Sequence, residues 1–133
     1  MDVRSEPDGW TIWQIVHHVA DDGDIWSLCF KKAIATPGAI VRCEGFPGNE
    51  AWADALDFGQ REIGPALDLI GAHRRFLAEL LEHFSDRWDR SVRFAGDEGD
   101  VVATMTVRDM VNALTDHMLE HVATIEKTRA KAD

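Results

Sequence analysis

His117 and His121 stand four residues apart in the stretch from Thr106 to Ile125, TVRDMVNALTDHMLEHVATI. At about 100° per residue, two helical positions four apart project from nearly one line. Met110, Ala113, Leu114, Val122 and Ile125 fall on or beside that line, so both imidazoles are expected to face the interior. Two neutral imidazoles one turn apart can chelate a single divalent ion such as zinc, nickel or iron. They can equally be two histidines satisfied in a polar patch of the core. His18 lies on the apolar side of an earlier helical stretch, and Asp22 follows it one turn later on the same side. There Asp22 could orient a ligand, carry a proton, or be an ordinary acid on a helix face. His73 is a third inward histidine, readable as a ligand or as a core residue bonded to a carboxylate.

Three imidazoles leave metal positions open to water, which marks a reactive rather than a purely structural centre. Such an ion activates bound water, polarises a substrate oxygen or takes a thiolate. His117 to His121 also fits H-x-x-E-H, the inverted zinc-peptidase pattern. That class takes its remaining ligand from well downstream, and Glu126 is too close and on the same helix. Glu120 is therefore expected at a rim or in solvent, and the peptidase reading is set aside.

The elements that must position these residues are helices. Thr11 and Gln14 form a capping-box pattern opening a run to about Ala35, where Thr36, Pro37 and Gly38 stop it. Ile15, Val19, Ile25, Trp26, Cys29 and Ala33 mark its apolar side, and His17, about 100° away from His18, is placed on the flank or surface. Pro7, Asp8 and Gly9 read as a turn before it. Residues 36–64 are rich in Gly and Pro around a short helix over Asn49 to Leu56, with Asn49 as its cap. So long a connection permits a crossover that leaves the flanking helices parallel.

Pro65 opens the next helix, whose stripe is Ala66, Ile70, Leu77, Leu80, Leu81 and Phe84, with His83 near its end as a structural residue. Residues 91–105 allow a small hairpin around Gly96 to Asp100. Thr106 and Asp109 then cap the last helix. His18 lies near the start of its helix and His121 near the end of its own. The two can meet only if those helices run antiparallel, the usual arrangement of packed bundle neighbours.

Composition removes other classes. The 133 residues fit one domain, 1–133. A formal net charge of -10 with scattered basic residues argues against a nucleic-acid partner. No apolar run is long enough to span a bilayer, and the polar N-terminus is no signal peptide, so a cytoplasmic protein is expected. Cys29 and Cys43 lack the spacing of a disulfide framework, and Cys29 sits where a buried thiol belongs.

The run Trp10, Thr11, Ile12, Trp13, Gln14, Ile15, Val16, His17, His18, Val19, Ala20, Asp21 resembles the W-[ST]-x-x-x-[IV]-[IV]-x-H-[LV]-A-D opening helix of the DinB/YfiT-like superfamily of metal-dependent enzymes. The likeness continues through Asn49 to Trp52, Ala72 to Phe76 and the H-x-x-x-H of the last helix. The resemblance implies an all-α, up-down-down-up helical bundle with a long central crossover. It also implies a divalent metal, nickel or zinc before iron, held by His18, His117 and His121. The expected function is a hydrolase activating water or an S-transferase using a low-molecular-weight thiol, acting on a small molecule. Asp22 is the candidate catalytic side chain.

The alternative is an inactive dimeric bundle serving as a binding or structural module. The sequence departs from the pattern in three respects. The usual first helix is lacking, the residue after Asp21 is not the usual Ser or His, and Asp116, His117, Met118 replaces Trp-His-Gly. With one helix fewer, an apolar groove is expected to be covered by a second copy in a homodimer.

Overall fold

The computed structural model describes residues 3–4, 9–96 and 99–132. Helix α1, Ile12–Ala35, begins at the expected capping box: Thr11 Oγ1 accepts from the Gln14 N–H at 3.2 Å, and Gln14 Oε1 accepts from the Thr11 N–H at 2.8 Å. These bonds satisfy donors that a helix start leaves orphaned. Thr11→Ala is expected to cost about 1–2 kcal/mol, seen as a lower urea midpoint at unchanged slope. Of the turn read before this helix, Pro7 and Asp8 lie outside the described residues.

Three further helices follow: α2, Asn49–Ala55; α3, Gly64–His83; and α4, Val107–Ala132. Asn49 is the first residue of α2 and not its cap. Gly48 holds the cap position at φ 106°, a backbone that side chains resist, and no side chain caps the helix. In α4 the expected cap is present, with Asp109 Oδ2 accepting from the Thr106 N–H and Thr106 Oγ1 from the Asp109 N–H. The Thr106 backbone N–H first, and then the Thr106 side chain, hold the exposed Asp109 carboxyl below its usual range. Its contribution to stability is thus present at neutral pH and is lost as pH falls through that range.

Helix α1 is the hub. Cys29, Phe30, Ala33 and Ile34 in its second half meet Leu77 of α3 and Val107, Met110 and Leu114 of α4. Val16 and Ala20 in its first half meet Ala66 at the start of α3. Equivalent ends of α1 and α3 therefore coincide and opposite ends of α1 and α4 coincide, so α3 runs parallel to α1 and α4 antiparallel. Phe30, Met110, Val92 and Val107 are wholly buried, each stabilising the fold by roughly 1.5–3 kcal/mol. Two stripe residues depart from expectation: Ile25 and Val122 are exposed.

The all-α expectation is corrected by a three-stranded sheet. Its strands are β1, Ala39–Val41; β2, Ser91–Ala95; and β3, Val101–Thr106, in the order β1-β2-β3. β2 and β3 form the expected antiparallel hairpin, of whose turn Asp97 and Glu98 lie outside the described residues. β1 comes from the connection and pairs parallel with β2, Ile40 opposite Arg93. Three residues carry no readable periodicity, and only the distant partner makes them a strand. Arg93 Nε donates to the Gly38 carbonyl and Arg90 to that of Ile34, tying the end of α1 to β2. Among the described residues, no helix is long and apolar enough to cross a membrane.

Cys29 and Cys43 are both free, the first buried and the second exposed. Burial pushes the Cys29 thiol up to about 11, so almost none of it is thiolate at pH 8. Iodoacetamide at that pH is expected to label Cys43 alone, with Cys29 labelled only after denaturation. Peptide mass spectrometry reads both sites.

Candidate metal centre

Each of two helices presents a pair one turn apart: His18 and Asp22 on α1, and His117 and His121 on α4. Because α1 and α4 run antiparallel, the start of one meets the later half of the other. Ring centroids of His18 lie 5.5 Å from His117 and 5.0 Å from His121, and those of His117 and His121 are 4.2 Å apart. Asp22 Oδ2 stands 3.3 Å from His18 Nε2 and 3.3 Å from His117 Nδ1. Nε2 of His117 and Nε2 of His121 are 2.9 Å apart. One ligand atom from each of the four residues lies within 4.8 Å of the others. The Trp10 ring meets the His18 ring edge-on at 4.9 Å.

Burial drives the His18 imidazole down to about 4, and the neighbouring His121 and His117 push in the same direction. His121 is likewise lowered, by burial first and then by His117. His18 and His121 are therefore neutral at pH 7, the form that ligates metals. It follows that the close approach of His18 to Asp22 is not an ion pair at that pH. Burial pushes the Asp22 carboxyl up to about 6, against the opposing pull of His117.

The donor set fits a divalent ion. Asp22 Oδ2 is buried and has no hydrogen-bond partner, a costly state for a carboxylate oxygen. Neutral imidazoles with a carboxylate are a regular ligand set for zinc and its neighbours.

The sequence placed His18, His117 and His121 on inward faces, and the structure brings all three together. It does not bring in His73. Its Nε2 lies 3.2 Å from Asp24 Oδ1, and its ring covers Gly23 on α1. His17, expected on the flank, is buried. Its Nε2 is 3.0 Å from the Arg61 carbonyl and its ring stacks on Phe58, so the connection before α3 folds over it. Trp52 Nε1 donates to Asp21 and Trp13 Nε1 to the Arg61 carbonyl, which clamps the same connection onto α1. Glu120 is exposed, as expected of a residue outside the centre.

Arg74 on α3 escaped the sequence reading as a site residue. It acts electrostatically on Asp22 and lines an open apolar groove of about 420 Å³ with Phe30, Leu77, Met118 and Val122. Its only signal was a place in sequence next to His73.

The helical bundle thus gathers three imidazoles and a carboxylate from two antiparallel helices, a donor set that could hold one metal ion. The chain belongs to the DinB superfamily, whose family model matches residues 1–125. Over 95 residues it is 36% identical to "Putative metal-dependent hydrolase GK0616" of Geobacillus kaustophilus (strain HTA426), covering 70% of this chain and 51% of that protein. The chain thus spans about half the length of this curated relative. Among solved structures, it superposes on YfiT from Bacillus subtilis with a TM-score of 0.77 and 23% identity, over 98% of this chain and 72% of YfiT. YfiT is described as "a probable metal-dependent hydrolase with an unusual four-helix bundle topology". At that identity the likeness shows the fold.

Proposed function

We propose that the chain is a single DinB-type domain whose His18, His117 and His121 hold one divalent metal, nickel or zinc before iron, for hydrolysis of a small-molecule substrate. The observation that carries this reading is the convergence of three imidazoles and an orphaned carboxylate oxygen across the α1–α4 interface. A divalent ion held there would lower the pKa of bound water toward neutrality or polarise a substrate oxygen. The chain's own part is to keep His18 and His121 deprotonated by burial and to orient His18 against the Trp10 ring.

Hydrolysis is preferred to thiol transfer because the Geobacillus kaustophilus relative carries the name of a metal-dependent hydrolase. The deciding screen offers simple esters and amides beside electrophiles paired with low-molecular-weight thiols. Turnover of esters or amides without thiol supports the reading, and turnover that requires the thiol replaces it by S-transfer. Elemental analysis of protein purified without added metal is expected to find one equivalent of metal, lost in His117→Ala/His121→Ala. Protein that carries no metal and whose stability ignores chelators would instead be a binding or structural bundle.

The open groove between α3 and α4 supports the expectation of a homodimer, since Leu119 and Val122 on its wall are exposed. Light scattering at micromolar concentration is expected to give twice the chain mass, and a strict monomer overturns the dimer.

A further inference from the structure

We propose that Asp22 is itself a metal ligand, making the centre a set of three imidazoles and one carboxylate; this rests on the metal reading above and assigns Asp22 a place within it. A carboxylate that merely orients an imidazole accepts a hydrogen bond from its ring N–H. Asp22 does not. Its Oδ2 is 3.3 Å from nitrogens of two imidazoles on two helices, yet no hydrogen bond forms to it although it is buried.

The spacing has another explanation. Four donors bound tetrahedrally at about 2.0–2.1 Å stand about 3.3–3.4 Å from one another. Both Asp22 separations equal that edge, and they run to one ligand candidate on its own helix and one on the facing helix. Helix geometry makes the match natural: each helix contributes two donors one turn apart, and the antiparallel crossing sets the pairs face to face. Charge agrees as well. Three neutral imidazoles leave an ion its full double charge, beside the half-buried or buried side chains of the cluster. A carboxylate in contact halves that charge and lessens the cost of burying it.

The chemical consequence concerns room at the centre. With four protein donors in place, one further oxygen or sulfur donor can join at a time. A carboxylate engaged as a ligand is also not free to carry protons.

The test is Co²⁺ and Zn²⁺ titration of the chelator-stripped chain, comparing the native protein with Asp22→Asn, Asp22→Ser and His117→Ala/His121→Ala. Visible absorption of the Co²⁺ form and zinc X-ray absorption report the coordination. Native protein is expected to bind one equivalent with a carboxylate oxygen among its ligands. Both Asp22 variants are expected to lose that oxygen, to shift the Co²⁺ bands and to weaken zinc binding beyond the roughly 10–100-fold that loss of a merely orienting partner costs.

The metal-free variants are expected to melt no lower than metal-free native protein, because each replaces a buried carboxylate that has an unpartnered oxygen by a neutral group; this melt separates lost ligation from lost folding. Unchanged Co²⁺ bands and an unchanged ligand set in folded Asp22 variants would overturn the assignment while leaving the metal reading intact. Failure of the native protein itself to bind either ion would overturn both.

Discussion

Metal-stripped protein given zinc or nickel at about a thousand times its dissociation constant is expected to gain about 4 kcal/mol of stability. For 133 residues the unfolding entropy is about 0.28 kcal/mol/K, so the melting temperature rises by about 15 °C. The gain arises because the donors come from two helices distant in sequence, so the unfolded chain offers no comparable site. His117→Ala/His121→Ala removes half of the four-residue cluster and is expected to abolish the rise. Scanning calorimetry with and without metal reads both proteins. A double variant that still gains the full 15 °C would place the bound ion elsewhere.

The second large effect belongs to Gly23, which lets α3 approach α1. A Cβ added there would stand 2.1 Å from Nδ1 of His73, 2.9 Å from its Cε1 and 3.0 Å from its Cγ. Because the crowded atoms include the root of the ring, the whole imidazole must leave and its contact with Asp24 goes with it. Gly23→Ala is therefore expected to cost about 1–3 kcal/mol from overpacking, against the roughly 1 kcal/mol that Ala favours in a helix interior. His73→Ala removes the obstacle. In the double variant the alanine's helix preference is expressed, so the two changes are expected to couple by about 2 kcal/mol in a urea-denaturation cycle. Additive single effects would show that His73 does not occupy the space over Gly23.

The shared origin of these two results is the closeness of α1 to both neighbours. On one side it meets α4 through polar donors, on the other α3 through a glycine and a histidine. His73 thus has a definite task although it is absent from the metal centre. It fills the notch that Gly23 leaves and reaches Asp24 at the surface.

Local patterns in the chain determined the long helices and the capped starts of α1 and α4. The Thr11–Gln14 box, the Thr106–Asp109 cap, the inward line of His117 and His121 and the burial of Cys29 each depend on residues within a turn or two of one another. The helical repeat alone therefore reveals them. The hairpin of β2 and β3 was legible for the same reason, its strands being neighbours in sequence.

Only the tertiary structure decided the rest. His17 is buried because Phe58 and Arg61 fold back over it, and β1 exists because β2 lies beside it. His73 is excluded from the centre by the side of α1 on which α3 packs, whereas Asp22 enters it because α4 crosses at its own turn. Each depends on a contact between residues far apart in the chain. A periodicity shows which face of a helix is apolar, but it carries no information on which distant side chain will meet that face.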